Sequence, residues 1–263
     1  MSTTTVMQER DIKQRTFMQN VFKVFGKTGT YAFLLIMALI ILFPFYWMII
    51  SSLKTLPEYR QAIPTFWPRE IMWGNYSEAF KTANLGDLFM NTLYVGVVST
   101  LISLVITVLS AFAFARLEFK GKETLFGALL ATMMIPGELF TITNYITVNQ
   151  LNWMHTFTAL IVPFLVSVFY IYLLRQNFMQ IPNELYLAAK VDGTSDFKYM
   201  LKVMVPISKP TIITITILKV IECWNSYVWP RLVVDSRKYY LVSVGLQQLR
   251  DSGLGRENVP AMM

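Results

Sequence analysis

Residues Leu88 to Ala115 read LFMNTLYVGVVSTLISLVITVLSAFAFA, with no Asp, Glu, Lys or Arg. A helix needs about 20 mostly apolar residues to cross the hydrocarbon core of a bilayer. This run exceeds that length, enough to tilt or protrude. Four further stretches read as spans: Tyr31 to Ile50, Thr124 to Ile146, Thr156 to Leu174 and Val205 to Trp229. Pro44 predicts a kink in the first. Pro136 and Pro163 fall inside the third and fourth, where neighbouring helices and water can satisfy the carbonyl each frees. Trp47, Trp67, Trp73, Trp153, Trp224 and Trp229 lie near span ends or in one flank, as interfacial aromatics do. The expected fold is all-α: a polytopic transmembrane helix bundle.

Composition agrees. Hydrophobic residues make up 54% of the chain and charged residues 15%, and the mean hydropathy is +0.46. Soluble domains carry about 25% charged residues, so a chain this long has too few to cover a wet surface. The net charge of +7 does not point to nucleic acid. Its Lys and Arg sit between the apolar runs rather than in one patch, where they orient the chain against anionic lipid. The only cysteine, Cys223, excludes an internal disulfide and a thiolate cluster, and the only histidine, His155, excludes a multi-histidine site.

Residues 1–30 are polar and mixed in charge, too long and polar for a cleaved secretory signal, and read as an arm; Phe17 to Phe25 read as a surface amphipath or a solvated tail. The arm, Arg116–Lys122 and Arg175–Lys202 are dense in Lys and Arg, whereas Asn149–His155 has none, which puts the N-terminus in the cytoplasm. Arg231, Arg237, Lys238, Arg250 and Arg256 after the fifth span pull the other way.

Between the fourth and fifth spans, Arg175 to Lys202 is too polar for the bilayer. Pro182 can open a helix, Glu184 sits in its first turn, and Gly193 can close it in a left-handed conformation. Thr194 or Ser195 can cap a second helix, with Asp196 in its first turn. Ala188 and Ala189 offer a small-residue face, and Leu185, Phe197, Met200 and Leu201 offer apolar contacts. Alone, these residues fit equally an amphipathic loop lying on its own bundle.

The run Glu184-Leu-Tyr-Leu-Ala-Ala-Lys-Val-Asp-Gly193, nine residues, then Val203-Met-Val-Pro206 resembles the Glu-Ala-Ala loop of permease subunits in binding-protein-dependent ABC importers. Ile181-Pro182, Asp192-Gly193 and Pro210 are similar to its carbohydrate branch, the second permease of maltose-type importers. Asn91-Thr92-Leu93, Ala111 to Arg116, Met133 to Pro136, Trp224-Asn225 and Trp229-Pro230 extend the resemblance over nearly the whole chain. It implies a transmembrane domain over 31–263 with a coupling loop at 175–205. The partners implied are a homologous permease, two cytoplasmic ATP-binding subunits and an extracellular or periplasmic substrate-binding protein, all at a bacterial inner membrane. It implies a sugar or oligosaccharide as solute and Pro182, Glu184, Leu185, Ala188, Ala189, Asp192, Gly193 and Pro206 as coupling residues. Two features depart from it. Leu187 stands where the signature has glutamate, and the sixth span expected after Asn258-Val-Pro-Ala-Met262 is missing, which reads as truncation.

No Gly-x-x-x-x-Gly-Lys-Ser/Thr phosphate cradle occurs. ATP driving this chain would therefore have to bind another subunit; the resemblance implies ATP and Mg in that partner, no cofactor on this chain and no enzyme. In the fifth span, Lys219 and Glu222 share a helix face. They read as a substrate path with Trp224, Asn225 and Tyr227, or as a structural ion pair and packing residues. The rivals are a membrane enzyme, which needs convergent catalytic groups, and a secondary transporter, which needs internal repeats.

Overall fold

The structure is a computed structural model that describes residues 3–251 and Pro260, with side chains from Gly26 to Arg250 and at Pro260. The side chains of Phe17 to Phe25, and the segment where a sixth span is expected, lie outside the described residues. All described elements are helical. The chain divides into two units, residues 1–78 with 255–263, and residues 79–254.

The first unit is led by α1 (Thr3–Ser52), whose Gly26–Ser52 portion is long and apolar enough to cross a membrane. It continues unbroken through Pro44. The segment after it is folded, although its balanced charges carry little signal in the sequence. α2 (Leu56–Tyr59) is capped by Thr55. The carboxylate of buried Glu58 accepts from Thr65 Oγ1 at 2.6 Å and from the Arg69 amide at 3.1 Å. Buried Lys54 donates to Thr65 O and lies 4.7 Å from the Trp47 ring centroid. Asn75, at the start of α3 (Gly74–Thr82), ties the carbonyls of Ser52 and Lys54.

The second unit is organised by α4 (Leu85–Arg116), an unbroken span. Between large apolar residues at its two ends, its buried face carries a run of small and polar ones: Thr92, Gly96, Ser99, Thr100, Ser103, Thr107 and Ala111. Small residues let neighbouring helix backbones approach closely in a bilayer. Its exposed face is Leu93, Val97, Leu101, Val105 and Leu109, repeating every fourth residue. Large apolar side chains outward and small polar ones inward is the arrangement a lipid solvent selects. Two apolar cores pack at the two ends of α4. Leu88 and Val95 join Leu160, Trp229, Val233 and Leu241, while Ala111 and Phe112 join Leu174, Phe178, Tyr199 and Met204.

The remaining spans are broken, which corrects the reading of three continuous helices. α5 (Lys122–Thr132) meets the Gly137–Phe140 turn and α6 (Thr141–Gln150) at 87°. α7 (Phe157–Ile161), extended by the turn Val162–Phe164, meets α8 (Val168–Met179) at 45°. Proline is the cause at both sites, since it lacks the N–H that bonds the carbonyl four residues back. At Pro136 the freed carbonyl of Thr132 accepts from Ile135 N. At Pro163 the freed carbonyl of Ala159 accepts Trp229 Nε1–H at 2.9 Å, fully buried. Trp229, expected at an interface, is thus a core residue that repairs a neighbouring helix.

Two short helices follow α8: α9 (Asn183–Val191) and α10 (Asp196–Tyr199). A π-helical turn, Met200–Met204, leads through α11 (Val205–Ile207) to α12 (Lys209–Asn225), with an 80° bend at Ser208 between Pro206 and Pro210. The expected span Val205–Trp229 is therefore interrupted at Ser208 and again after Asn225, and Trp229 belongs to α13 (Val228–Val233) beyond the second break. α14 (Val242–Asp251) follows. With each bent pair counted once, up to five crossings are present among the described residues.

Candidate functional site

The segment Pro182–Pro206 forms a helical elbow. Pro182 caps α9 instead of opening its first turn, with φ −55 and ψ 136. At the other end, Gly193 adopts φ +68, the left-handed conformation that costs other L-residues most. Gly193 N bonds Lys190 O at 3.1 Å and Thr194 N bonds Ala189 O at 2.9 Å. This paired pattern is the Schellman motif expected of a glycine just past a helix end. Ser195 caps α10, its hydroxyl accepting from Lys198 N. Thr194, the other candidate cap, serves in the turn instead.

The angle is held by side chains that no sequence motif singles out. Tyr186 Oη donates to Asp196 Oδ1 at 2.7 Å, and Lys190 Nζ lies 2.6 Å from the same oxygen. Lys190 also lies 5.3 Å from the Tyr186 ring centroid, which in turn packs 5.1 Å from that of Tyr199. The signal that could have found them is the spacing of Tyr186 and Lys190, which puts both on one face one turn apart. Lys190 holds the Asp196 carboxyl below its ordinary value, with help from the Tyr186 hydroxyl. Asp196 raises Lys190 in return.

The elbow has two faces. Tyr186 and Ala189 pack inward on the core of Leu174, Phe178 and Tyr199. Leu185, Leu187, Ala188, Val191 and Phe197 are exposed, Val191 at 89%. Of the four expected apolar contacts, Met200 is buried, whereas Leu185, Phe197 and Leu201 are exposed. The two alanines do not form one outward face: Ala188 points out and Ala189 in. Glu184 and Asp192 are exposed at the two ends of α9, and Leu187 presents an apolar side chain outward where the signature has glutamate. Arg175 is not in this loop. It lies within α8 and is 6% exposed.

Within the bundle, Lys219 is buried at 4% exposure. Its Nζ donates to Phe164 O at 3.0 Å, at the break between α7 and α8, and reaches Glu222 Oε2 at 3.3 Å. Tyr170 Oη donates to the same carboxylate oxygen at 3.2 Å. The ammonium therefore repairs a broken helix end while staying paired, the two conditions for keeping a charge out of water. Lys219 and Glu222 line a cavity of about 90 Å³ with Ser99, Cys223 and Ser226. Small-molecule sites run to about 300–1,000 Å³, so this cavity is too small for an oligosaccharide. Trp224, Asn225 and Tyr227 do not line it. Trp224 packs against Phe89 with ring centroids 5.9 Å apart, and all three are exposed. Among the described residues no group of three His, Cys, Asp or Glu could hold a metal ion.

A bundle of long apolar helices and repaired broken spans, with a helical elbow outside it, defines a polytopic membrane protein. The chain belongs to the family described as binding-protein-dependent transport system inner membrane component, which it matches over residues 103–251. A probable ABC transporter permease protein of Mycoplasma genitalium is 32% identical over 233 residues, 86% of this chain and 72% of that protein. The arabinooligosaccharides transport system permease protein AraQ of Bacillus subtilis is 27% identical over 220 residues, 82% of this chain and 78% of AraQ. The sn-glycerol-3-phosphate transport system permease protein UgpE of Rhizobium meliloti is 30% identical over 226 residues, 83% and 80%. In fold, the chain is similar to a chain in the crystal structure of a bacterial ABC transporter involved in the import of the acidic polysaccharide alginate. The TM-score is 0.81 at 23% identity, covering 91% of this chain and 90% of that one.

Proposed function

We propose that this chain is the permease subunit of an ABC importer for a hydroxyl-rich solute, a sugar or oligosaccharide, with its N-terminus in the cytoplasm of a bacterial cell. The relatives' solutes, arabinooligosaccharides and sn-glycerol-3-phosphate, share that chemistry. ATP and Mg are bound by separate cytoplasmic subunits, a second permease completes the pathway, and a substrate-binding protein delivers the solute from outside.

The observation that carries this reading is the elbow. Its angle is locked from within by Tyr186, Lys190 and Asp196, yet Leu185, Ala188, Val191 and Phe197 remain uncovered. A rigid projection with an apolar outer face fits insertion into a cleft on another protein. Closure of a pair of ATP-binding subunits would then carry α9 sideways and rock the spans between inward-open and outward-open states. Docking must differ between the two states, since a ligand shifts an equilibrium only by its unequal affinity for them. This reading takes the small cavity that Lys219 and Glu222 line as part of the solute path.

The test is capture of the ATP-binding subunit by the permease purified in mild detergent. Ala188→Arg places a charged, bulky group on the exposed face without touching the inner core. The variant is expected to reach the membrane in normal amount and to lose both the captured ATPase and transport. Normal capture by the variant would sink the docking assignment.

A further inference from the structure

Two arginines, which in the sequence look only like orienting charges, cross-link the ends of α4 and α8. The last four carbonyls of any helix have no donor within the helix. Arg116, the last residue of α4, sends Nη2 to Phe178 O at 2.9 Å, in the final turn of α8, and to Ile181 O in the link to α9. Its Nη1 reaches Oδ1 of Asn183, the first residue of α9, at 3.3 Å. In the other direction, Arg175 of α8 donates through Nε to Phe114 O, in the final turn of α4, at 3.1 Å. Its Nη2 meets Glu123 at the start of α5 at 3.2 Å, and its guanidinium lies 4.1 Å from the Phe126 ring centroid. Each helix supplies an arginine that donates to a carbonyl in the other's final turn.

We propose that this reciprocal pair is a transmission clamp, with Arg116 the positioning residue that makes α4, the end of α8 and the root of the elbow move as one body. The inference rests on the coupling reading above. Only residues 180–182 join α8 to α9. Without the clamp, a sideways pull on α9–α10 would be absorbed as hinge rotation in that link. With it, the pull reaches α4, an unbroken span and the one that organises both cores. The planar guanidinium, with its rigid fork of donors, suits three acceptors spread over α8, the link and α9; the single ammonium of lysine does not. Arg116 Nε is buried without a partner, so its two Nη groups alone carry the attachment.

The clamp is tested on the permease in complex with its captured ATPase in nanodiscs. Spin labels are placed at Lys120→Cys, just beyond α4, and Lys198→Cys in α10, in a Cys223→Ser background. With Arg116 intact, the distance distribution has one maximum that is unchanged between nucleotide-free and ATP–vanadate states. With Arg116→Gln, the ATPase is still captured and hydrolyses ATP, and ATP–vanadate splits or shifts the distribution. Arg116→Lys and Arg175→Lys give intermediate broadening and serve if the glutamine variant does not reach the membrane. A wild-type distance that moves with nucleotide, or an Arg116→Gln distance that stays single, overturns the clamp. Failure of the wild-type permease to capture any ATPase overturns the coupling reading itself, and the clamp with it.

Discussion

Gly193 offers the sharpest quantitative test of the elbow. Its φ is +68, and a Cβ built there meets nothing within 4 Å. Within this chain a Cβ there therefore acts on the local backbone conformation and meets no other segment. Holding an ordinary L-residue in the left-handed region costs roughly 1–2 kcal/mol, while asparagine visits it more readily. Proline cannot reach it, and it also deletes the N–H that bonds Lys190 O. A penalty of about 1–2 kcal/mol is a factor of roughly 5–30 in population. Because a binding-competent state populated in part weakens affinity by that fraction, dissociation constants for the ATPase subunit should rank glycine, asparagine, alanine, proline. The assay is titration of the ATPase onto nanodisc-held permease. Gly193→Asn should bind within about threefold of wild type, Gly193→Ala up to about 5–30-fold weaker, and Gly193→Pro not detectably. The order matters more than the sizes. Asparagine is bulkier than alanine, so a bulk effect would reverse those two, and that reversal, or wild-type affinity for alanine, would refute the conformational argument.

Three further outcomes follow from the same geometry. Trp229→Phe keeps the ring beside Phe164 but orphans the buried Ala159 carbonyl, and thermal unfolding in micelles should read a loss of about 1–3 kcal/mol. Gly245→Ala would set a Cβ 2.3 Å from Leu88 Cδ1, overpacking worth about 1–3 kcal/mol, and Leu88→Ala in the same chain should recover part of it in a double-mutant cycle. Asp196, in the elbow and outside the membrane-crossing segments, has its folded value lowered, so its contribution is full above the ordinary carboxylate range and lost as pH falls through the lowered value. The raised value of Lys190 keeps its charge present throughout the neutral range. ATPase capture should therefore stay flat between about pH 6 and 8, and a slope there that Asp196→Asn removes would contradict the assignment.

Features governed by neighbours along the chain are legible in the amino-acid sequence alone. Membrane class, the spans led by Leu88 to Ala115, and the elbow with Pro182, Gly193 and Ser195 at its joints all follow from run length and from local dihedral and capping rules. Those rules act within a few residues, and at the elbow the Gly193 turn and the Ser195 cap fall where the rules put them. What tertiary structure alone decided lies between distant segments: Trp229 with Ala159, Lys219 with Phe164, Arg116 with Phe178, Arg175 with Phe114. A proline announces that a carbonyl will be freed but not which donor will take it. In a bilayer the hydrocarbon offers no donor, and here charges and indoles that read as orienting or interfacial residues are drawn inward to helix breaks and ends. That pairing depends on how the helices pack, which no local pattern encodes.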